Sequence, residues 1–146
     1  MAPLSFLPKE FGYAIGVVGL TVVVAQYGAG KVMGARKKYG IKYPTLYSTG
    51  KTKNDVAYNC AQRAHQNTLE NLPAVNIMML SSATVYPVTA AAFGAIWCVG
   101  RVLYIRGYTA ESGPDGRRFG ALISHMGDLP LLITTFMAAW AMVNQA

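Results

Sequence analysis

Apolar residues dominate from Phe11 to Met33, and glycines recur within that run at positions 12, 16, 19, 28 and 30. A stretch apolar on every side and longer than about 20 residues predicts a membrane-spanning helix. Residues 34–55 then turn polar, with Gly40, Pro44 and Gly50 as helix breakers. Val56 to Tyr86 predicts one long helix of mixed character. Its first half, Asn59 to Glu70, is polar; its second, Leu72 to Leu80, is apolar. At about 1.5 Å per residue it would reach roughly 46 Å, so the polar half must project into or past one interface. Pro73 is expected to kink it where the halves meet. Pro87 opens a minimal connection to a third helix, Val88 to Thr109, apolar through Cys98 and then carrying Arg101, Tyr104, Arg106 and Tyr108. Gly113 and Pro114 break the chain again before a fourth helix over residues 120–143. Residues 1–10 form a short lead.

The pattern therefore gives an all-α membrane protein: a single four-transmembrane-helix domain over residues 1–146, with spans at about 11–33, 56–86, 88–109 and 120–143. Small residues spaced by four, Gly12 with Gly16 and Gly30 with Gly34, suit close helix contact, within one chain or between chains. Composition agrees: 53% of the 146 residues are hydrophobic and only 13% charged, against about 25% charged in a soluble domain. The first apolar run is too long for a cleavable signal and has no basic lead, so it is expected to remain as a span. The two cysteines, Cys60 and Cys98, have neither the number nor the spacing of a disulfide framework or zinc site, and no metal is expected.

Charge sets the topology. The first loop holds Arg36, Lys37, Lys38, Lys42, Lys51 and Lys53 against Asp55, and Arg117–Arg118 precede the fourth helix. Both basic segments fall on one side of a four-span chain, the side that also carries the polar ends of helices 2 and 3. That side is expected to face the cytosol, and the lysines to attract anionic lipid headgroups. The net charge of +7 does not point to nucleic acid, because no basic strip is interleaved with aromatics on a soluble face.

Two polar stripes converge there. Arg63, Asn67 and Glu70, at i, i+4 and i+7, share one face of helix 2, with Asn59 one turn earlier; Arg101, Tyr104 and Tyr108 share one face of helix 3. Charges at membrane depth are costly and face a bundle interior. The stripes read either as a mutually satisfied plug, Arg63 with Glu70 and Arg101 with tyrosine hydroxyls, or as a site for a ligand bearing carboxylates, which the fork of arginine suits. Inside helix 4, Asp128 with His125 one turn before it is either a paired acid of the bundle or a second functional group.

The string Asn59-Cys60-Ala61-Gln62-Arg63-Ala64-His65-Gln66-Asn67-Thr68-Leu69-Glu70 resembles the second-helix motif of the membrane-associated proteins in eicosanoid and glutathione metabolism. Arg36-Lys37-Lys38-Tyr39 with Tyr43-Pro44, Gly100-Arg101-Val102-Leu103-Tyr104 with Gly107-Tyr108, and Arg118-Phe119-Gly120-Ala121-Leu122 follow in the family's order. The resemblance implies a homotrimer of four-helix subunits that binds glutathione as co-substrate between neighbouring subunits near the cytosolic face. Carried over by position, Arg63, Asn67, Glu70, Arg101, Tyr104 and Tyr108 match the glutathione-holding set, and Arg36 and His65 match positions that contact it from a neighbouring subunit. Arg117, by its Arg-x-x-Gly spacing to Gly120, matches the family's thiolate-stabilising arginine, with Arg118 as the alternative. Implied activities are conjugation of glutathione to lipophilic electrophiles, as in leukotriene C4 synthase, and reduction of lipid hydroperoxides. Implied locations are the endoplasmic reticulum or the mitochondrial outer membrane. The same fold also admits a non-catalytic lipid-binding or scaffold member, or an accessory subunit of a membrane complex.

Overall fold

The computed structural model describes residues 7–111 and 113–144. Most of the N-terminal lead and the last two residues of the expected domain lie outside them. Among the described residues there are four long helices and no strand: α1 (Phe11–Tyr39), α2 (Lys53–Ala83), α3 (Pro87–Tyr108) and α4 (Arg118–Val143), with a short 3-10 turn at Gly113–Arg117.

Local chemistry sets the boundaries. α1 continues six residues past the expected Met33, because Ala35 to Lys38 are good helix formers. It stops at Gly40, whose φ of 68° is left-handed and whose N–H donates to the Arg36 carbonyl. α2 begins three residues before the expected Val56, at a capping box. The Asp55 N–H donates to Thr52 Oγ1 and the Thr52 N–H donates to Asp55 Oδ2, each at 3.1 Å. The Asp55 carboxylate also accepts from the hydroxyls of Ser48 and, at 2.9 Å, Thr49. These hydrogen bonds hold it at about 2, well below an ordinary aspartate, and tie the α1–α2 loop to the head of α2. α2 stays helical through Pro73 and ends at Ala83. Pro87 occupies the first turn of α3, where its missing N–H costs nothing.

By length and composition, α1, α3 and the segment Gly113–Val143 can cross a membrane, and the protein is an integral membrane protein. The expected fourth span, α2, does not qualify by that measure. Its polar positions extend beyond Glu70 through Asn71, Asn76, Ser81 and Ser82. Packing explains how such a helix is accommodated: α2 lies against α1, α3 and α4. Thr21 of α1 donates to Asn76 Oδ1 at 3.1 Å, Thr135 of α4 donates to the Met78 carbonyl at 3.2 Å, and Thr134 of α4 donates to Ser82 Oγ at 3.1 Å. Polar groups of α2 thus find partners on neighbouring helices instead of facing hydrocarbon.

α3 and α4 make the tightest seam. A Cβ at Gly100 or Gly120 would collide with the backbone of Ser124 or Tyr104, and one at Gly127 would stand 2.6 Å from the Phe93 carbonyl and 2.7 Å from the Trp97 nitrogen. Gly107 meets the backbone of Gly116 in the same way. The glycines that meet backbone at this seam are therefore these four, at seven-residue spacing on both helices. Gly12, Gly16, Gly30 and Gly34, expected to serve that purpose, meet nothing within 4 Å inside the chain. The core between the helices is filled by Val75, Met79, Trp97, Ile105 and Leu131.

Candidate functional site

The α1–α2 loop, the head of α2, the tail of α3 and the turn before α4 meet at one end of the bundle. The two polar stripes face each other just inside it. Arg101 is only 5% exposed, and its Nη2 donates to Asn67 Oδ1 at 2.8 Å and to Thr68 Oγ1 at 3.0 Å. Its guanidinium lies 4.3 Å from the Tyr104 ring centre. The plug reading had Arg101 bonded to tyrosine hydroxyls; the partners are an amide and a threonine, and the tyrosine offers its face. On α2, Arg63 Nη1 donates to Glu70 Oε1 at 2.8 Å, and Asn67 Nδ2 donates to Glu70 Oε2 at 3.4 Å. Asn67 therefore links both stripes, with its oxygen to Arg101 and its nitrogen toward Glu70.

Toward the loop, the Tyr104 and Tyr108 rings meet edge to face at 5.5 Å. Arg117 Nη1 donates to the Tyr108 hydroxyl at 2.9 Å, its guanidinium 5.0 Å from the ring centre. Arg118 turns away: its Nη2 pairs with Asp115 at 2.8 Å, and its side chain is 80% exposed. Of the two candidate arginines, only Arg117 is joined to the tyrosines of α3.

These side chains open onto a cleft of about 310 Å³ lined by Tyr47, Val56, Asn59, Cys60, Arg63, Tyr108 and Pro114. A wider cleft of about 870 Å³, bounded by Lys38, Lys51 and Lys53, shares Val56, Cys60, Tyr108 and Pro114 with it. Tyr47 and Pro114 are not among the site residues expected from the sequence. The signal for Tyr47 is long-range, because its hydroxyl bonds Gln66 of α2 from the middle of the loop. Cys60 is buried and still lines the cleft.

Two expected site residues do not join this group within one chain. Arg36 Nη2 donates to the Thr45 carbonyl at 2.9 Å, and its guanidinium stacks on Tyr43 at 4.3 Å and Tyr58 at 5.3 Å. It organises the α1–α2 loop. His65 points to α1: its Nδ1 is buried without a protein partner, facing Gly28 so closely that a Cβ there would stand 2.9 Å away. Two residues, about 200° around the helix, separate His65, which faces α1, from Asn67, which reaches Arg101 of α3.

A polar wall with Arg63, Arg101 and Arg117 against the single carboxylate of Glu70 carries excess positive charge. It suits an anionic ligand with one cationic group. The family model described as the MAPEG family matches residues 14–142. The chain belongs to the MAPEG family. The membership accords with the motif on the head of α2, where the polar wall stands. The MAPEG chain is also 36% identical over 94 residues to the "Uncharacterized protein sll1147" of Synechocystis sp.; the match covers 62% of this chain and 64% of that protein's length.

Proposed function

We propose that this MAPEG protein is a glutathione transferase with glutathione peroxidase activity toward lipid hydroperoxides. Within the family, the Asn59–Glu70 string favours the branch of microsomal glutathione S-transferase 3. The observation that carries the reading is the junction of Arg117 with Tyr108 at the mouth of a cleft also lined by Arg63. In this reading Arg63, with Arg36 of a neighbouring subunit, holds the carboxylates of glutathione, Glu70 holds its amino group, and Arg117 faces the sulfur. A guanidinium beside a thiol favours the thiolate, whose free pKa is about 8.5. The thiolate then attacks an electrophilic carbon, displacing its leaving group or opening its ring, or attacks the distal oxygen of a hydroperoxide, breaking the O–O bond to give a sulfenic acid and an alkoxide that takes up a proton and leaves as the alcohol; a second glutathione converts the sulfenic acid to disulfide and water. No protein cysteine is required as nucleophile, since the ligand brings its own sulfur. We assign Arg36 and His65 to contacts made across a homotrimer interface, α2 to the fourth span, and the cleft end to the cytosolic face of the endoplasmic reticulum membrane.

The test uses purified full-length protein in lipid nanodiscs. Calorimetry should detect glutathione binding, and turnover should be measured with 1-chloro-2,4-dinitrobenzene and with cumene hydroperoxide. Absence of glutathione binding would instead favour a non-catalytic lipid-binding member of the fold. Unchanged rates in both Arg117→Ala and Arg118→Ala would overturn the mechanism.

A further inference from the structure

One polar group of α4 takes no part in that reading. His125 and Asp128 stand in the apolar body of the helix, where His125 Nδ1 is 3.2 Å from both carboxylate oxygens of Asp128. The carboxylate is turned inward, 16% exposed, and the imidazole outward, 62% exposed. Around His125 the exposed side chains are Leu122, Met126 and Leu129.

The register of the α3–α4 seam fixes what lies behind this pair. Gly127 rests on the backbone of Phe93 and Trp97, so Asp128 stands level with Trp97, one turn from Arg101 on α3. The carboxylates of Asp128 and Glu70 both lie within electrostatic reach of Arg101. Trp97 Nε1 and Arg101 Nε are buried donors with no protein partner. The seam therefore turns the half-buried side of Asp128 toward the α3 face that carries Trp97 and Arg101.

Consequences for the imidazole follow. When Nδ1–H donates to the Asp128 carboxylate, the neutral imidazole leaves Nε2 as an acceptor. The exposed imidazole then presents that acceptor among the apolar side chains of Leu122, Met126 and Leu129. His125 lies seven residues beyond Arg118, so it sits roughly 10 Å along α4 from the polar end. An unpaired acceptor is unfavourable at that depth. Charged headgroups remain at the interface, so the matching partner is a neutral hydroxyl donor carried on an apolar chain.

We propose that His125, oriented by Asp128, binds the hydroxyl or hydroperoxide group of an oxygenated acyl chain lying along α4. His125 is the binding residue and Asp128 the positioning residue. The use of the bound lipid rests on the transferase reading: a chain whose reactive end reaches Arg117 is recognised by a second oxygen at His125. The site thereby selects oxygenated lipids over plain ones.

The chain has two histidines, so nitrogen-15 histidine labelling of the full-length protein in nanodiscs gives a spectrum that His125→Gln assigns. 12-Hydroxystearate should shift the His125 Nε2 signal, and stearate should leave it in place. Asp128→Asn should abolish the shift while leaving glutathione affinity within about twofold. In turnover, His125→Gln should raise KM for a hydroxylated electrophile roughly five- to ten-fold, the size of one lost hydrogen bond, with kcat and the plain electrophile unaffected. Equal shifts with both fatty acids, or none with either, would overturn the proposal. So would a change of particle mass in His125→Gln, which would make the pair a contact between copies. A selective shift in a protein that fails to bind glutathione would uphold the lipid site and reject the transferase reading.

Discussion

Arg117 donates a hydrogen bond to the Tyr108 hydroxyl at 2.9 Å, whereas its neighbour Arg118 spends its guanidinium on Asp115. Adjacent arginines thus have opposite surroundings. Arg117→Ala is expected to lower kcat/KM for conjugation by about 100-fold or more, the scale of losing one preorganised donor to a developing anion. Arg118→Ala should stay within about twofold. Thiolate absorbance of the glutathione complex, read alongside turnover, checks that the loss lies in thiol activation.

Glu70 separates a structural plug from a ligand site. Its ion pair with Arg63 is half-exposed, 43% and 45% at the two side chains, so the pair contributes roughly 0–1 kcal/mol after solvent screening. Glu70→Gln is expected to move the melting temperature little while weakening glutathione binding at least about ten-fold. A large drop in melting temperature with unchanged binding would instead identify a plug.

Asn67 is expected to behave in the opposite way. It accepts from a guanidinium that is 5% exposed. Asn67→Leu would leave a buried charge short of a partner, at a cost of about 3 kcal/mol. Thermal melts in detergent should register that loss with or without glutathione. Asn67→Ser, which keeps an acceptor, should recover part of it.

The glycines of the α3–α4 seam should tolerate nothing larger. Gly100→Val or Gly120→Val would drive a side chain into the backbone of Ser124 or Tyr104, and loss of folded protein on size-exclusion chromatography is expected. Gly12→Val and Gly30→Val meet open space within the chain and should leave the fold of the single chain intact.

Acid should loosen the α1–α2 loop. Asp55 is held at about 2 by Ser48, Thr49 and Thr52, below the unfolded value of about 3.9. A depressed carboxylate stabilises the fold above its unfolded pKa, and the contribution fades as pH falls from about 4 toward 2. Asp55→Asn should therefore melt below the wild type at pH 7, and the gap should narrow below about pH 4 and close only as the pH falls through about 2.

Much of the candidate site was legible because helical spacing alone places Arg63, Asn67 and Glu70 on one face, and Arg101, Tyr104 and Tyr108 on another. The same arithmetic could not say which helix each face meets. His65 lies two residues from Arg63 and faces α1; Arg36, set apart by its position at a helix end, serves the loop that follows. Spacing to Gly120 favoured Arg117 over Arg118, but which of the two meets Tyr108 depends on the side of a short turn that each occupies.

By itself the sequence determined the helices, their order and the polar end, because unbroken apolar runs, glycines and prolines act locally through hydration and backbone sterics. It also placed the chain in its family. Tertiary structure alone decided the pairing of surfaces. Seven-residue glycine spacing on α3 and α4 brings their backbones into contact, and that register is what sets Arg117 on Tyr108 and Asp128 beside Trp97. The open glycines of α1 had an equally good spacing and no partner in the chain. Close contact requires two complementary surfaces, and a one-dimensional pattern shows only one of them at a time.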